Sequence, residues 1–269
     1  MSLSYTFLLF IIYSFMGWAW ETTFCSIRAK HFINRGFLYG PLCPVYGFGG
    51  MLVLYFLAPL SKTWIPLFFG AMIITSLLEY FTSWLLETLF HTKWWDYSKR
   101  KFNLHGRIFL GGALCFGLMA TLVSHYVHPY LEHILLSIPL KTAQILAWII
   151  FAIFLVDLVF TVKHLIHFTV HMSRLKDFMD YLKDRFSEES WFSEHAHSLS
   201  ELFDIIKEKA LQKKIHISEN LLEKIDHFSS HQQKLTRMAK KYPAMHSSKF
   251  KAGVENLHAR AKEDSKRKE

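Results

Sequence analysis

Glu79, Ser83 and Glu87 recur every four residues inside an apolar stretch, so a helix gathers them on one side, with Thr75, Ser76 and Thr82 beside them. Glu21 lies near the end of the first apolar run. Asp157, followed at one and two helical turns by Thr161 and His164, makes a shorter polar stripe in the last run. An ionised side chain at membrane depth costs roughly 2.5–3.5 kcal/mol on insertion, so such groups face a bundle interior or a wet cavity. Carboxylates in this setting either neutralise Arg35 or Arg107 and tie helices together, or line a cavity that recognises a ligand.

Two connectors supply the complementary chemistry. Residues 94–107, WWDYSKRKFNLHGR, place two tryptophans, Asp96, Asn103 and a cluster of cations between apolar runs. Trp94 and Trp95 suit a membrane interface, where an amphipathic ring bridges wet and dry layers. Lys99, Arg100 and Lys101 read as topology determinants with some attraction to anionic lipid, about 1 kcal/mol per charge. Arg107, which follows Gly106 and opens a span, has the geometry to hold a phosphate or carboxylate in a bidentate fork. Residues 34–50, NRGFLYGPLCPVYGFGG, interrupt the start of the second span with glycines and prolines, so an irregular or re-entrant entry is expected where backbone lines a cavity. The candidate cavity set is Glu21, Asn34, Arg35, Tyr46, Glu79, Ser83, Glu87, Trp95, Asp96, Tyr97, Asn103, Arg107 and Asp157. No residue is singled out as catalytic.

The elements that must position these groups are membrane spans. Of 269 residues 51% are hydrophobic and 16% aromatic, which excludes an ordinary soluble domain. About 20 apolar residues cross a hydrocarbon core, and five windows qualify: 3–24, 40–60, 64–90, 108–127 and 142–166. The first has neither a basic flank nor a small-residue cleavage site and reads as a retained helix. Residues 129–140, bounded by prolines, are too short to span and read as an outer interfacial helix. Arg28, Lys30, Arg35, Lys93, Lys99, Arg100, Lys101, Arg107 and Lys163 fall on one side of this arrangement and only Lys62 and Lys141 on the other. The N-terminus is therefore expected outside and the C-terminus in the cytoplasm.

Residues 1–169 form the expected transmembrane domain and carry 11 Lys/Arg and 6 Asp/Glu; the remaining hundred carry 20 and 16. From Ser173 the pattern becomes amphipathic, with Leu175, Phe178, Met179, Leu182 and Phe186 at helical spacing. Further helical segments are expected over 201–215 and 218–242, with Ser218 as an N-cap and Pro243 as the stop. The expected domains are thus 1–169, cytoplasmic helices over 170–242 and a basic, fraying tail over 243–269. These helices can form a small bundle, self-associate into a homo-oligomer or lie against anionic lipid. Their mixed charges argue against nucleic-acid binding.

As a set, GWxxE (Gly17, Trp18, Glu21), NRGFLxGPxxPxYGxG (Asn34 to Gly49), EYxTxxxxE (Glu79 to Glu87), WWDY (Trp94 to Tyr97) and FNLxGR (Phe102 to Arg107) resemble bacterial membrane proteins of the ABC-transporter type IV family, over roughly residues 10–160. Asp157 and Pro129 are also similar to family positions. The resemblance implies a permease-like membrane component and carries no substrate or catalytic residue with it.

Several classes are excluded by missing motifs. The chain has no GxxxxGK[ST] phosphate cradle, so an ATPase would be a separate subunit. It has no G-x-S-x-G elbow and no H-E-x-x-H pair. Cys25, Cys43 and Cys115 lack metal-ligand spacing. His164, His167 and His171 share a helical side but read as interfacial histidines, so no metal site is expected; the sequence leaves the cofactor unknown. The leading expectation is an all-α polytopic membrane protein, permease or scaffold, whose cytoplasmic-side cavity binds a small or lipidic ligand or a partner subunit. One alternative is a membrane-embedded enzyme on a lipid headgroup, with Glu21 or Glu87 as base and Arg35 and Arg107 clamping phosphate. Another is a sensor or assembly factor signalling through the C-terminal helices.

Overall fold

Leu3–Ala29 forms α1 in the computed structural model, which describes residues 2–195, 199–212, 219–242 and 245–266. Long apolar runs without internal proline or glycine clusters become long helices: α3 is Trp64–Phe90 and α6 is Leu140–Phe186. Among the described residues four helical stretches are long and apolar enough to cross a membrane: α1, α3, the continuous run Leu110–Ser137 and α6. The chain packs as two units, residues 1–86 with 96–164, and residues 87–95 with 165–269.

In the first unit the second expected span is shorter than its window. Helix α2 covers only Pro44–Phe56, 13 residues, and a 3-10 turn over Ala58–Leu60 follows it. The chain before it runs without regular structure along α1: Ile33 N–H donates to Ser26 Oγ at 2.9 Å, Arg35 N–H to Thr22 Oγ1 at 3.2 Å and Cys43 N–H to the Ser14 carbonyl at 3.0 Å. Ten residues of backbone thus descend from the level of Ser26 to that of Ser14, about 18 Å along the helix axis. This is the irregular entry expected from the prolines and glycines, tolerable at such depth because α1 satisfies its polar groups. Helix α2 then returns antiparallel to α1. A Cβ on Gly47 would lie 2.3 Å from Ser14 Oγ, so glycine permits the close approach that drives packing where lipid supplies no hydrophobic force.

The window 108–127 and the expected interfacial helix 129–140 are one element. Helix α4 (Leu110–Leu122) passes through a π turn, Val123–Val127, into α5 (His128–Ser137). Pro129 cannot take its place in a regular ladder without meeting the carbonyl four residues earlier. The ladder loosens instead, and His128 N–H donates to the Val123 carbonyl, five residues back. Tyr13 and His128 Nδ1 lie 2.9 Å apart, and the Tyr5 hydroxyl donates to the Ile138 carbonyl at 2.7 Å, fastening α5 to α1. Tyr5, Leu8, Leu9, Leu135, Ala143 and Ala147 pack around these contacts. Between α3 and α4 the connector folds into a small antiparallel hairpin, β1 (Asn103–Leu104) with β2 (Ile108–Phe109).

The second unit is a helical bundle with its own core. No proline or glycine interrupts the chain between the last apolar window and the amphipathic segment, so α6 runs unbroken for 47 residues. Its C-terminal half buries Phe168, Met172, Leu175, Phe178 and Leu182. Against them pack α7 (Ser190–His195), α8 (Leu199–Leu211), α9 (Glu219–Lys241) and α10 (Lys251–Lys266), which contribute Phe192, Leu202, Ile206, Ile225 and Leu257. Each such side chain stabilises by about 1.5–3 kcal/mol when removed from water. Ser218, Pro243 and the last residues of the tail lie outside the described residues. The tail was expected to fray, yet α10 occupies most of it, because Phe250, Val254, Leu257 and Ala261 form a buried stripe at helical spacing.

Candidate functional site

Within the first unit the two connectors meet the carboxylates of α1 and α3. Glu21 Oε1 accepts from the Tyr46 hydroxyl at 2.7 Å, and Glu21 Oε2 lies 3.6 Å from Arg35 Nε. Glu79 accepts from the Tyr97 hydroxyl. Glu21 is therefore held by a tyrosine from the first turn of α2 and Glu79 by one from the second connector. The Glu21 charge reaches Glu79 and Tyr97, and that of Glu79 reaches Tyr46, so the five side chains form one cluster. Burial first, and then the charges of Glu79 and Glu21, push the Tyr97 phenol well above its ordinary value and keep it a donor.

Local sequence explains how these groups are presented. Tyr46 reaches Glu21 because residue 17 has no side chain: a Cβ there would lie 2.2 Å from Tyr46 Cγ. Glu21 stands one turn further along the same face of α1, which accounts for the Gly17–Glu21 spacing. Asn34 is fixed by Trp18, whose Nε1 donates to its Oδ1 at 2.8 Å, while Gly36 N–H donates to the same oxygen at 3.0 Å. Arg35 follows with its amide on Thr22.

The second connector is built by its own amide and carboxylate. Asp96 Oδ1 accepts from Ser98 N–H at 2.9 Å; Asn103 Nδ2 donates to the Arg100 carbonyl at 2.7 Å, and its Oδ1 accepts from Gly106 N–H at 2.9 Å. Gly106 takes φ +69°, a region other residues enter at a cost, and a Cβ there would meet Asp96 Oδ1 at 2.5 Å. Tyr97 N–H donates to the Gly106 carbonyl at 2.8 Å, which ties the hairpin to the residue that holds Glu79. Arg107 lies over the Tyr80 ring at 5.4 Å, next in sequence to Glu79.

Asp157 makes a different attachment. Its two oxygens accept from the amides of Tyr39 at 2.9 Å and Gly40 at 2.8 Å, and Thr161 Oγ1 donates to it at 3.3 Å. This carboxylate pins the first connector to α6. Ser83 is buried one turn beyond Glu79.

Of the sequence-derived candidates, the structure brings together Glu21, Arg35, Tyr46, Glu79 and Tyr97. Asn34, Asp96 and Asn103 shape the connectors, and Asp157 anchors one of them. Glu87 and Trp95 belong to the second unit, and the cluster above is made without them. Trp94, expected at an interface, is buried at 3% exposure against the rings of Phe168 and Tyr242 in that unit. Gly17, Trp18 and Gly40 appeared in the sequence only as motif positions of the family resemblance and Thr22 not at all; their supporting roles were not read from it. No group of histidines, cysteines and carboxylates suited to a metal occurs among the described residues, and the three cysteines are free thiols.

Long apolar helices, irregular backbone buried against them and ion pairs set among them define an all-α polytopic membrane protein. The chain belongs to the family described as "putative ABC-transporter type IV", whose profile matches residues 8–162, more than half of its length. The match ends two residues before the first unit does, so the C-terminal helices lie beyond it. No curated protein and no solved structure matches the chain.

Proposed function

We propose that this protein is a permease-like membrane component whose Glu21–Glu79 cluster receives a small or lipidic ligand bearing a cationic, hydrogen-bond-donating group such as an amine. The observation that carries the reading is that two acidic side chains, Glu21 of α1 and Glu79 of α3, are brought into one cluster with one guanidinium, Arg35, seated on Glu21. A ligand ammonium placed between the acids would be attracted by both in surroundings where water screens little. In this reading the cluster lies at the cytoplasmic face, with the N-terminus outside and the C-terminal helices inside, which the excess of nine basic residues against two supports. Helix α2 with its 3-10 turn serves as a fifth crossing, since it returns antiparallel to α1 as far as Thr6, whose hydroxyl lies 3.2 Å from that of Tyr55. Hydrolysis of ATP, where transport requires it, falls to a separate subunit.

The test is native mass spectrometry of the protein reconstituted with equal amounts of an amine-headgroup phospholipid and one whose headgroup is anionic and lacks an amine. The wild type retains the amine lipid preferentially. Glu79→Gln lowers that preference about tenfold, as expected from losing one charge-assisted hydrogen bond. Equal retention of both lipids by wild type and variant refutes the reading.

A further inference from the structure

Thr6 and Leu9 of α1, Met51, Leu54 and Tyr55 of α2 and His128 of α5 line a cavity of about 150 Å³. All three helices belong to the first unit. Glu21 lies twelve residues beyond Leu9, about 18 Å along the axis of α1, so this space is separate from the acid cluster. Leu9, Met51 and Leu54 make one part of its wall apolar. A cavity of about 150 Å³ accepts a body the size of a benzene ring.

The polar groups of the wall differ in what they leave available. Thr6 Oγ1 donates to the Ser2 carbonyl at 3.2 Å, so it accepts from the Tyr55 hydroxyl, also at 3.2 Å, and that pair is satisfied internally. His128 is not. Its Nδ1 lies 2.9 Å from the hydroxyl of Tyr13, a residue only 4% exposed, and this is the one partner that hydroxyl has among the described residues. A buried phenol O–H without an acceptor is costly, so Tyr13 donates to Nδ1 and the imidazole proton sits on Nε2. Nε2 is 3.9 Å from Glu132 Oε2, one turn along α5, which is beyond hydrogen-bond reach. A donor and an acceptor thus stand beside the cavity with a gap between them.

The geometry points to a second binding site here, for a small uncharged hydroxyl compound whose apolar body rests on Leu9, Met51 and Leu54 and whose hydroxyl bridges His128 and Glu132. A hydroxyl accepts from Nε2–H and donates to the carboxylate at once. An ammonium only donates and leaves Nε2–H unanswered, while an anion is repelled by Glu132. The site owes nothing to the reading of the acid cluster and stands or falls without it.

The experiment is a fluorine NMR titration of the full chain in lipid nanodiscs, with protein-free discs of the same lipid as the blank for partitioning. The probes are 4-fluorophenol, 4-fluorotoluene and 4-fluorobenzoate, which share a ring and differ in the group opposite the fluorine. The wild type binds 4-fluorophenol saturably and about tenfold more tightly than either of the others, the margin of one hydrogen bond to a charged group. Met51→Trp, which fills the cavity, reduces the 4-fluorophenol signal to that of the blank; Leu54→Phe replaces it if Met51→Trp does not fold. Tyr13→Phe with His128→Phe removes the donor without stranding the phenol and abolishes the preference for 4-fluorophenol over 4-fluorotoluene. Equal binding of the phenol and toluene probes by the wild type overturns the proposal, as does phenol binding that the cavity-filling variant leaves unchanged.

Discussion

Asp157 shows how a membrane-embedded carboxylate can serve backbone instead of a ligand. Two adjacent amides, of Tyr39 and Gly40, donate to its two oxygens, and a Cβ on Gly40 would come within 2.9 Å of Oδ2. Removing the acceptor strands two amides in a segment that has no ladder to fall back on. Hydrogen bonds to charged groups contribute about 1.5–3 kcal/mol each. Asp157→Ala should therefore lower the midpoint of thermal unfolding in nanodiscs clearly, while Asp157→Asn, which keeps one oxygen acceptor, should lower it by about half as much. The sequence placed Asp157 in a polar stripe of the last span but could not show what it faced, because its partners lie in a connector more than a hundred residues earlier. Asp96 and Asn103 present the same lesson: residue types rich in binding chemistry are spent here on turning the chain, and the left-handed φ of Gly106 explains why that turn holds glycine.

At the scale of elements, α1 is the ruler on which the site is assembled. Ser14, Thr22 and Ser26 offer polar groups to the descending connector, Gly17 leaves room for Tyr46, and Glu21 receives it. Gly17→Ala puts a methyl group into the Tyr46 ring, and overpacking of this kind costs about 1–3 kcal/mol. The expected outcome is a lower unfolding midpoint that Tyr46→Ala, introduced together with Gly17→Ala, partly restores by clearing the clash; no rescue would mean that Gly17 matters for another reason. Helix existence was legible in the sequence, since four of the long apolar windows became long helices. Boundaries were less so. The fourth window continues through Pro129 because a π turn absorbs the proline, and the second shortens because irregular backbone runs along α1 as far as Cys43 before α2 begins; neither event depends on hydrophobicity, which is what the windows measure.

At the scale of the whole chain, the acid cluster collects side chains from positions 21, 35, 46, 79 and 97, and its existence depends on both connectors folding back toward α1 and α3. Glu21, Arg35 and Glu79 were legible as candidates by residue type, whereas the pairing of each acid with a particular tyrosine was not, since nothing in local spacing links residue 79 to residue 97. The burial of Trp94 was equally hidden, because its partners at 168 and 242 belong to a bundle that forms only once the C-terminal helices pack. The contact that most directly carries the account is the Tyr97 hydroxyl on Glu79. A double-mutant cycle on Tyr97→Phe and Glu79→Met, read as thermal unfolding in lipid nanodiscs, isolates it. The account predicts that Tyr97→Phe destabilises the wild-type chain by about 1–3 kcal/mol and has no effect once Glu79→Met is present; an equal loss in both backgrounds would show that the second connector does not fold back onto the buried acid.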